Sequence, residues 1–165
     1  MKRIVLILTA CALLGTAGAA QEHPGATTSM TMQMVKTTVS PAVKALKLTQ
    51  GWVSAAPPGA EELSAYFVLS NPGRSAVTLT GGTTALAGQT MLMTTGHDAA
   101  GRGTMQMAAA LKVPAGSSLK ILPGSAHLML RALKRQPQPG ETVALTLRFS
   151  DGSARTFTLP VRKLP

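Results

Sequence analysis

A histidine and a methionine two residues apart, His127 and Met129, are the side chains best suited to binding a metal ion. The segment around them is predicted to be a β-strand, in which residues two apart project from one face, about 6.5–7 Å from each other. An imidazole beside a thioether suits copper(I), whereas zinc has little use for thioether sulfur. The alternative is a partly buried histidine that packs beside a core methionine.

Two further methionine pairs have the same spacing. Met105 and Met107 form one pair, and Met91 and Met93 form the other. A spacing of two is the repeat of a strand face rather than of a helix. If these strands converge near His127, one imidazole and several thioethers would surround a single ion. The alternative is that the methionines only fill gaps in the core, because their flexible side chains adapt to irregular spaces.

Short apolar segments alternate with turn residues along most of the chain, without a convincing helical period. The predicted strands are residues 44–54, 63–70, 76–81, 88–94, 103–110, 117–122, 127–133, 142–149 and 154–161. Short strands at this spacing predict an all-β sandwich or Greek-key barrel. The last two strands alternate apolar and polar residues around a Ser-Asp-Gly-Ser turn, which predicts a hairpin with one face in the core.

The first 20 residues have the composition of a cleaved secretory signal. Two basic residues precede an apolar run that is too short to span a bilayer, and small residues follow it. We expect cleavage after Ala19 or Ala20, and no later segment predicts a membrane span. The alternative is lipidation, because Cys11 and its neighbours resemble a lipoprotein processing site. Residues 21–40 are predicted to be a flexible arm, and residues 41–165 a single domain.

Composition and charge argue against several classes of function. Cys11 is the only cysteine, so the chain left by ordinary cleavage would have no disulfide and no cysteine zinc site. It would also lack the cysteine ligand of a blue-copper electron carrier. The formal net charge is +10, but the basic residues are not interleaved with aromatic ones, and export argues against nucleic acid as a partner. No catalytic triad or phosphate-binding loop is evident, so we do not expect an enzyme.

Several collinear stretches together resemble the periplasmic copper chaperone family called PCu(A)C. They span nearly the whole predicted domain and comprise Trp52–Gly59, Ala65–Asn71, Gly103–Met107, Val113–Gly116, Pro123–Leu130 and Pro139–Leu147. The resemblance implies a cupredoxin-like Greek-key β-barrel of about eight to nine strands. It also implies a bound Cu(I) ion and the role of a copper carrier.

The family's metal signature is a first His or Met, a later Met, and then an H-x-M pair. His127 and Met129 fall on the H-x-M pair. Met107 matches the methionine of the preceding strand and is preferred, but the family spacing counted back from His127 reaches Met105 instead. One of these two methionines is implied as the ligand and the other as its neighbour.

The first ligand position departs from the family pattern. Met93 stands where family members usually have a histidine, and a methionine is an allowed substitution there. His97, four residues later in a Gly/Asp-rich loop, is the rival for the same role. The choice between a thioether and an imidazole decides how soft the site is.

The predicted arm resembles the loose tails that capture copper in other exported proteins, and its candidate ligands are His23, Met30, Met32 and Met34. Such a tail could bind Cu(II) through its imidazole or Cu(I) through its sulfur atoms. The alternative is a linker that binds no copper.

The expected protein is a periplasmic monomer. The resemblance implies a copper-accepting partner, either a Sco-type protein or a cytochrome oxidase subunit during copper-site assembly. The competing hypothesis is a metal-free envelope β-sandwich that binds a protein or polyanion through its basic surface.

Overall fold

The structure is a computed structural model and describes residues 39–163, apart from residues 56, 58 and 98. The predicted signal and nearly all of the predicted arm, with its four candidate ligands, lie outside the described residues. The elements are α1 (Pro41–Ala45), β1 (Lys47–Ala55), β2 (Glu62–Ser70), β3 (Val77–Thr84), β4 (Ala87–His97), β5 (Gly103–Met107), β6 (Leu111–Val113), β7 (Ser118–Ile121), β8 (Ala126–Leu133), β9 (Thr142–Phe149) and β10 (Ala154–Lys163). Within this part of the chain, no helix is long and apolar enough to cross a membrane.

The ten described strands form one hydrogen-bonded sheet. Its order is β5-β4-β8-β2-β1-β10-β9-β3-β6, and β7 also pairs with β2. Because β5 and β6 are edge strands, hydrogen bonds do not close the sheet into a complete barrel. The two halves join where β1 runs parallel to β10, with Val53 opposite Val161. The predicted all-β fold is confirmed, and the predicted hairpin forms β9 and β10.

Alternation along the strands sends apolar side chains into one core between the two halves of the sheet. Leu128 and Leu130 of β8 are fully buried. The Leu128 side chain approaches β3, where it lies 3.2 Å from the position that a Cβ atom would take at Gly82. Burying each such leucine contributes about 1.5–3 kcal/mol. None of the buried hydrophobic residues described is a methionine.

Residues 41–45 form α1, whose last two residues overlap the beginning of the predicted strand 44–54. The Ser40 hydroxyl accepts a hydrogen bond from the Val43 N–H, and Pro41 occupies the first helical turn. Both features favour a helix start. At the other end, the Arg155 guanidinium donates to three backbone carbonyl oxygens of the helix and its cap. The helix therefore depends on a residue of β10 that lies far away in the sequence.

The predicted strand 103–110 ends early, at Met107, as β5, and β6 after it was not predicted. β5 pairs with β4, whereas β6 pairs with β3 in the other half of the sheet. The chain crosses between the halves after Met107, and the Ala108 N–H donates to the Leu92 carbonyl oxygen at 2.8 Å. A continuous period of two along the sequence could not reveal this change of partner strand.

Candidate metal centre

Strand β4 lies between β5 and β8, and its register brings three predicted ligands into one row. Met93 is opposite Met107 on one side and opposite His127 on the other. Directly opposed residues of antiparallel strands project from the same face, with Cβ atoms about 4.5–5.5 Å apart. We call the row formed by His127, Met93 and Met107 the histidine rung.

A second row lies beside the histidine rung. Met91 is opposite Met129, and we call this pair the methionine rung. Because Met91 and Met129 are each two residues from a member of the histidine rung, both rungs share one face and are about 7 Å apart. Leu92, between the two β4 methionines, is 2% exposed and faces the core. The two rungs therefore lie on the opposite, outer face of the sheet.

Met105 lies one row beyond the histidine rung, away from Met129. It is opposite Thr95, whose hydroxyl is 3.9 Å from the Met105 sulfur. With strands roughly 5 Å apart and about 7 Å per two residues, the Met129 Cα lies about 12 Å from that of Met107 and about 17 Å from that of Met105. Met105 and Met107 are 59% and 69% exposed. This geometry favours Met107 as the thioether that shares an ion with Met129.

His97 lies at the end of β4, opposite Gly103, and its side chain is exposed. It follows Met93 by four residues, which corresponds to about 13 Å along a strand. The register therefore places Met93, rather than His97, next to His127. This departure from the family's usual histidine leaves His127 as the one imidazole within the two rungs.

His127 is 7% exposed and lies beside the aromatic ring of Tyr66. The Tyr66 ring centroid is 6.4 Å from that of the imidazole, and Trp52 is 4.7 Å from Tyr66 on the far side. Burial lowers the pKa of His127, because the charged imidazolium loses solvation. The neutral imidazole, which is the form that binds a metal ion, is thereby favoured.

Trp52 and Tyr66 lie beside the site although the sequence did not predict them there. Alternation along β2 is enough to place Tyr66 on the face opposite to its buried neighbours, but its contact with His127 depends on the pairing of β2 with β8. Trp52 reaches the same face through a β-bulge, since Thr49 is opposite Val68 and Trp52 is opposite Tyr66. The extra residue in β1 reverses the side to which the following side chains project.

The donors on the two rungs are neutral. Among the described residues, no group of three or more His, Cys, Asp or Glu side chains could hold a metal ion. Glu62, which continues this face next to Met129, is paired with Arg131 at 2.5 Å. One imidazole and several thioethers are therefore the available set, and this set suits Cu(I) better than zinc or a hard cation.

Comparison with known proteins places the chain in a family. Residues 46–161 match the family described as "Putative lipoprotein LpqE-like". The "Putative lipoprotein Lxx21020" of Leifsonia xyli subsp. xyli is 34% identical over 121 residues, which cover 71% of this chain and 69% of that protein.

Two solved structures extend the comparison. The solution structure of CuI-DR1885 from Deinococcus radiodurans is 33% identical, with a TM-score of 0.59 over 80% of this chain and 85% of that chain. The copper-bound PCuAC domain from PmoF2 is 21% identical, with a TM-score of 0.60 over 73% of this chain and 94% of that chain. The PCu(A)C fold expected from the sequence is confirmed by these similarities. The chain therefore belongs to the LpqE-like lipoprotein family, and its β-strand domain has the PCuAC fold.

Proposed function

We propose that this chain is an exported copper carrier that binds one Cu(I) ion on the outer face of its sheet. The proposed ligands are His127, Met129, Met93 and Met107. The observation that carries the proposal is the register of β4, which places Met93 between His127 and Met107 and adds Met129 on the next rung. Two of the similar structures are described as copper-bound, one of them with Cu(I), and they support copper as the cargo.

Such a site suits transport and release. Thioethers are soft ligands that do not form disulfides, so they serve an oxidising compartment better than thiols do. They are also neutral, so Cu(I) is held without neutralisation of its charge. Met107 lies on the edge strand β5 and is largely exposed. A partner's ligands can therefore approach from this edge and displace the carrier's ligands one at a time.

Export and location are part of the proposal. The lipoprotein names of the family and of the relative support an exported protein. We propose the periplasm, reached through the predicted signal. Cleavage after Ala19 or Ala20 and acylation at Cys11 give products of different mass, so mass spectrometry of the processed protein distinguishes them. A diacylated product beginning at Cys11 would contradict ordinary cleavage.

The proposed recipient follows from the family resemblance alone. It is a Sco-type protein or a cytochrome oxidase subunit whose copper site is being assembled. The test is to mix the Cu(I)-loaded carrier with the metal-free recipient, separate the two, and measure copper in each. We expect copper to move to the recipient, and retention on the carrier would exclude that recipient.

The predicted arm with His23 is proposed only as an accessory copper ligand.

The competing hypothesis of a metal-free sandwich would gain support from methionines buried in the core. In the described residues, the methionines of both rungs and of β5 lie outside the buried hydrophobic set. The similar structures described above are copper-bound domains, which supports a carrier rather than an enzyme.

The test of the function is Cu(I) titration of the processed protein against a competing chelator. We expect the wild type to take up one equivalent at the rungs. The double variant His127→Gln/Met129→Leu should lose at least about 100-fold in affinity, since changing a group that only supports a ligand already costs about 10- to 100-fold. His97→Gln is the matched control, because His97 is exposed and lies two rows away from the histidine rung. Uptake of one equivalent with unchanged affinity by the double variant would refute the proposed site.

A further inference from the structure

We infer that the outer face offers a second position for the same Cu(I) ion, formed by thioethers alone. Its ligands are Met91, Met93 and Met129. The inference rests on the proposed function, because it takes Cu(I) as the cargo. The proposed site already supplies four donors, which is enough for one Cu(I) ion, and Met91 is the thioether on the two rungs that it leaves unused.

The register makes these three methionines close neighbours. Met91 is opposite Met129 and two residues from Met93. The strand spacings give Cα separations of roughly 5 Å for Met91 and Met129, about 7 Å for Met91 and Met93, and about 9 Å for Met93 and Met129. The three residues therefore form a compact triangle on one face. Methionine has three rotatable bonds, so the sulfur atoms of such a triangle can turn towards a common centre.

The surroundings of this triangle are also suited to a soft ion. All three methionines are half-buried, so they are neither packed into the core nor fully open to solvent. A cavity of about 300 Å³, lined in part by Ser54, Ser64 and Met129, opens beside the methionine rung. The neighbouring acidic side chain on this face is engaged in an ion pair, as described above. Three neutral thioethers without a carboxylate or imidazole favour Cu(I) and disfavour zinc.

The second position gives the carrier an intermediate for ligand exchange. An incoming ligand can replace His127 while the ion stays bound to Met93 and Met129. Met91 then takes the place of Met107. The ion then moves by about one rung, or roughly 7 Å at most. Only copper–ligand bonds form and break in this step, and copper remains Cu(I) throughout.

The test compares Cu(I) affinity in four processed proteins: the wild type, Met91→Leu, His127→Gln and the double variant Met91→Leu/His127→Gln. Methionine-to-leucine changes nearly conserve volume, so the fold should tolerate them. We expect Met91→Leu alone to change the affinity less than about threefold, because the proposed four-donor site is intact. His127→Gln should still bind one equivalent, and adding Met91→Leu should lower its affinity at least about tenfold further.

Two additional measurements make the outcome decisive. X-ray absorption of Cu(I)-loaded His127→Gln should show only sulfur atoms bound to copper. The control variant Met105→Leu/His127→Gln should have the same Cu(I) affinity as His127→Gln alone. Equal affinities of His127→Gln and Met91→Leu/His127→Gln would overturn the second position and leave the proposed function standing. Failure of the wild type to bind Cu(I) would instead overturn both. Thermal unfolding of each variant separates loss of the site from loss of the fold.

Discussion

Exchanging either methionine of β5 for leucine tests which of them binds copper. Met107 shares the histidine rung, whereas Met105 lies one row further from Met129. The strand spacings place their Cα atoms about 12 Å and about 17 Å from that of Met129. Only the shorter of these separations is readily bridged by two methionine side chains that share one ion.

The expected magnitude follows from the role of the lost sulfur. Removing a group that only supports a metal ligand lowers affinity about 10- to 100-fold, so removing a ligand should cost at least about 10-fold. Tenfold corresponds to about 1.4 kcal/mol of binding free energy. Both side chains are more than half exposed, so each leucine variant should keep its free energy of unfolding within about 0.5 kcal/mol. Met105→Leu is therefore a control matched in strand, chemistry and exposure.

The assay is competition for Cu(I) with a chelator of known affinity, together with denaturant unfolding of the metal-free proteins. We expect Met107→Leu to bind at least about tenfold more weakly and Met105→Leu to bind like the wild type. The reverse result would show that the motif spacing, rather than the strand register, identifies the ligand. Unchanged affinity in both variants would mean that β5 contributes no ligand. That result would refute the proposal that all three residues of the histidine rung bind the same ion.

Three further predictions concern the neighbouring residues. In the same competition assay, Met93→Leu should weaken Cu(I) binding at least about tenfold and His97→Gln should not, whereas the opposite order would make His97 the first ligand. Burial lowers the pKa of His127 below its ordinary value of 6.5, so the unfolded state binds the proton more tightly. The free energy of unfolding should therefore decrease as the pH falls from 6.5 through the folded-state pKa. Denaturant unfolding across this range checks that decrease, and an undiminished pH dependence in His127→Gln would contradict the assignment to His127. Gly51→Ala should destabilise the fold by about 1–3 kcal/mol in thermal unfolding, because its Cβ would lie 2.5 and 2.6 Å from two leucine side chains. A stability equal to that of the wild type would show that the bulge of β1 has room for a side chain.

Local patterns were sufficient to predict most of the strands and the faces of their side chains. The H-x-M segment was predicted to project His127 and Met129 from one face, and the structure places them so, because alternation depends only on the extended backbone. The β9–β10 hairpin was predictable for the same reason, since its strands are adjacent in the sequence and joined by a short turn. Elements that depend on contacts with distant residues were not predictable from local patterns. The example is α1, whose carbonyl oxygens accept hydrogen bonds from Arg155.

The sequence by itself determined the all-β class, the chemistry of the candidate donors, and the face on which each methionine of a strand lies. Only the tertiary structure decided which strands are neighbours and in what register. That register places Met93 between His127 and Met107, and it brings Met91 to Met129. The physical reason is that strand faces follow from local backbone geometry, whereas register follows from hydrogen bonds and core packing between segments far apart in the chain.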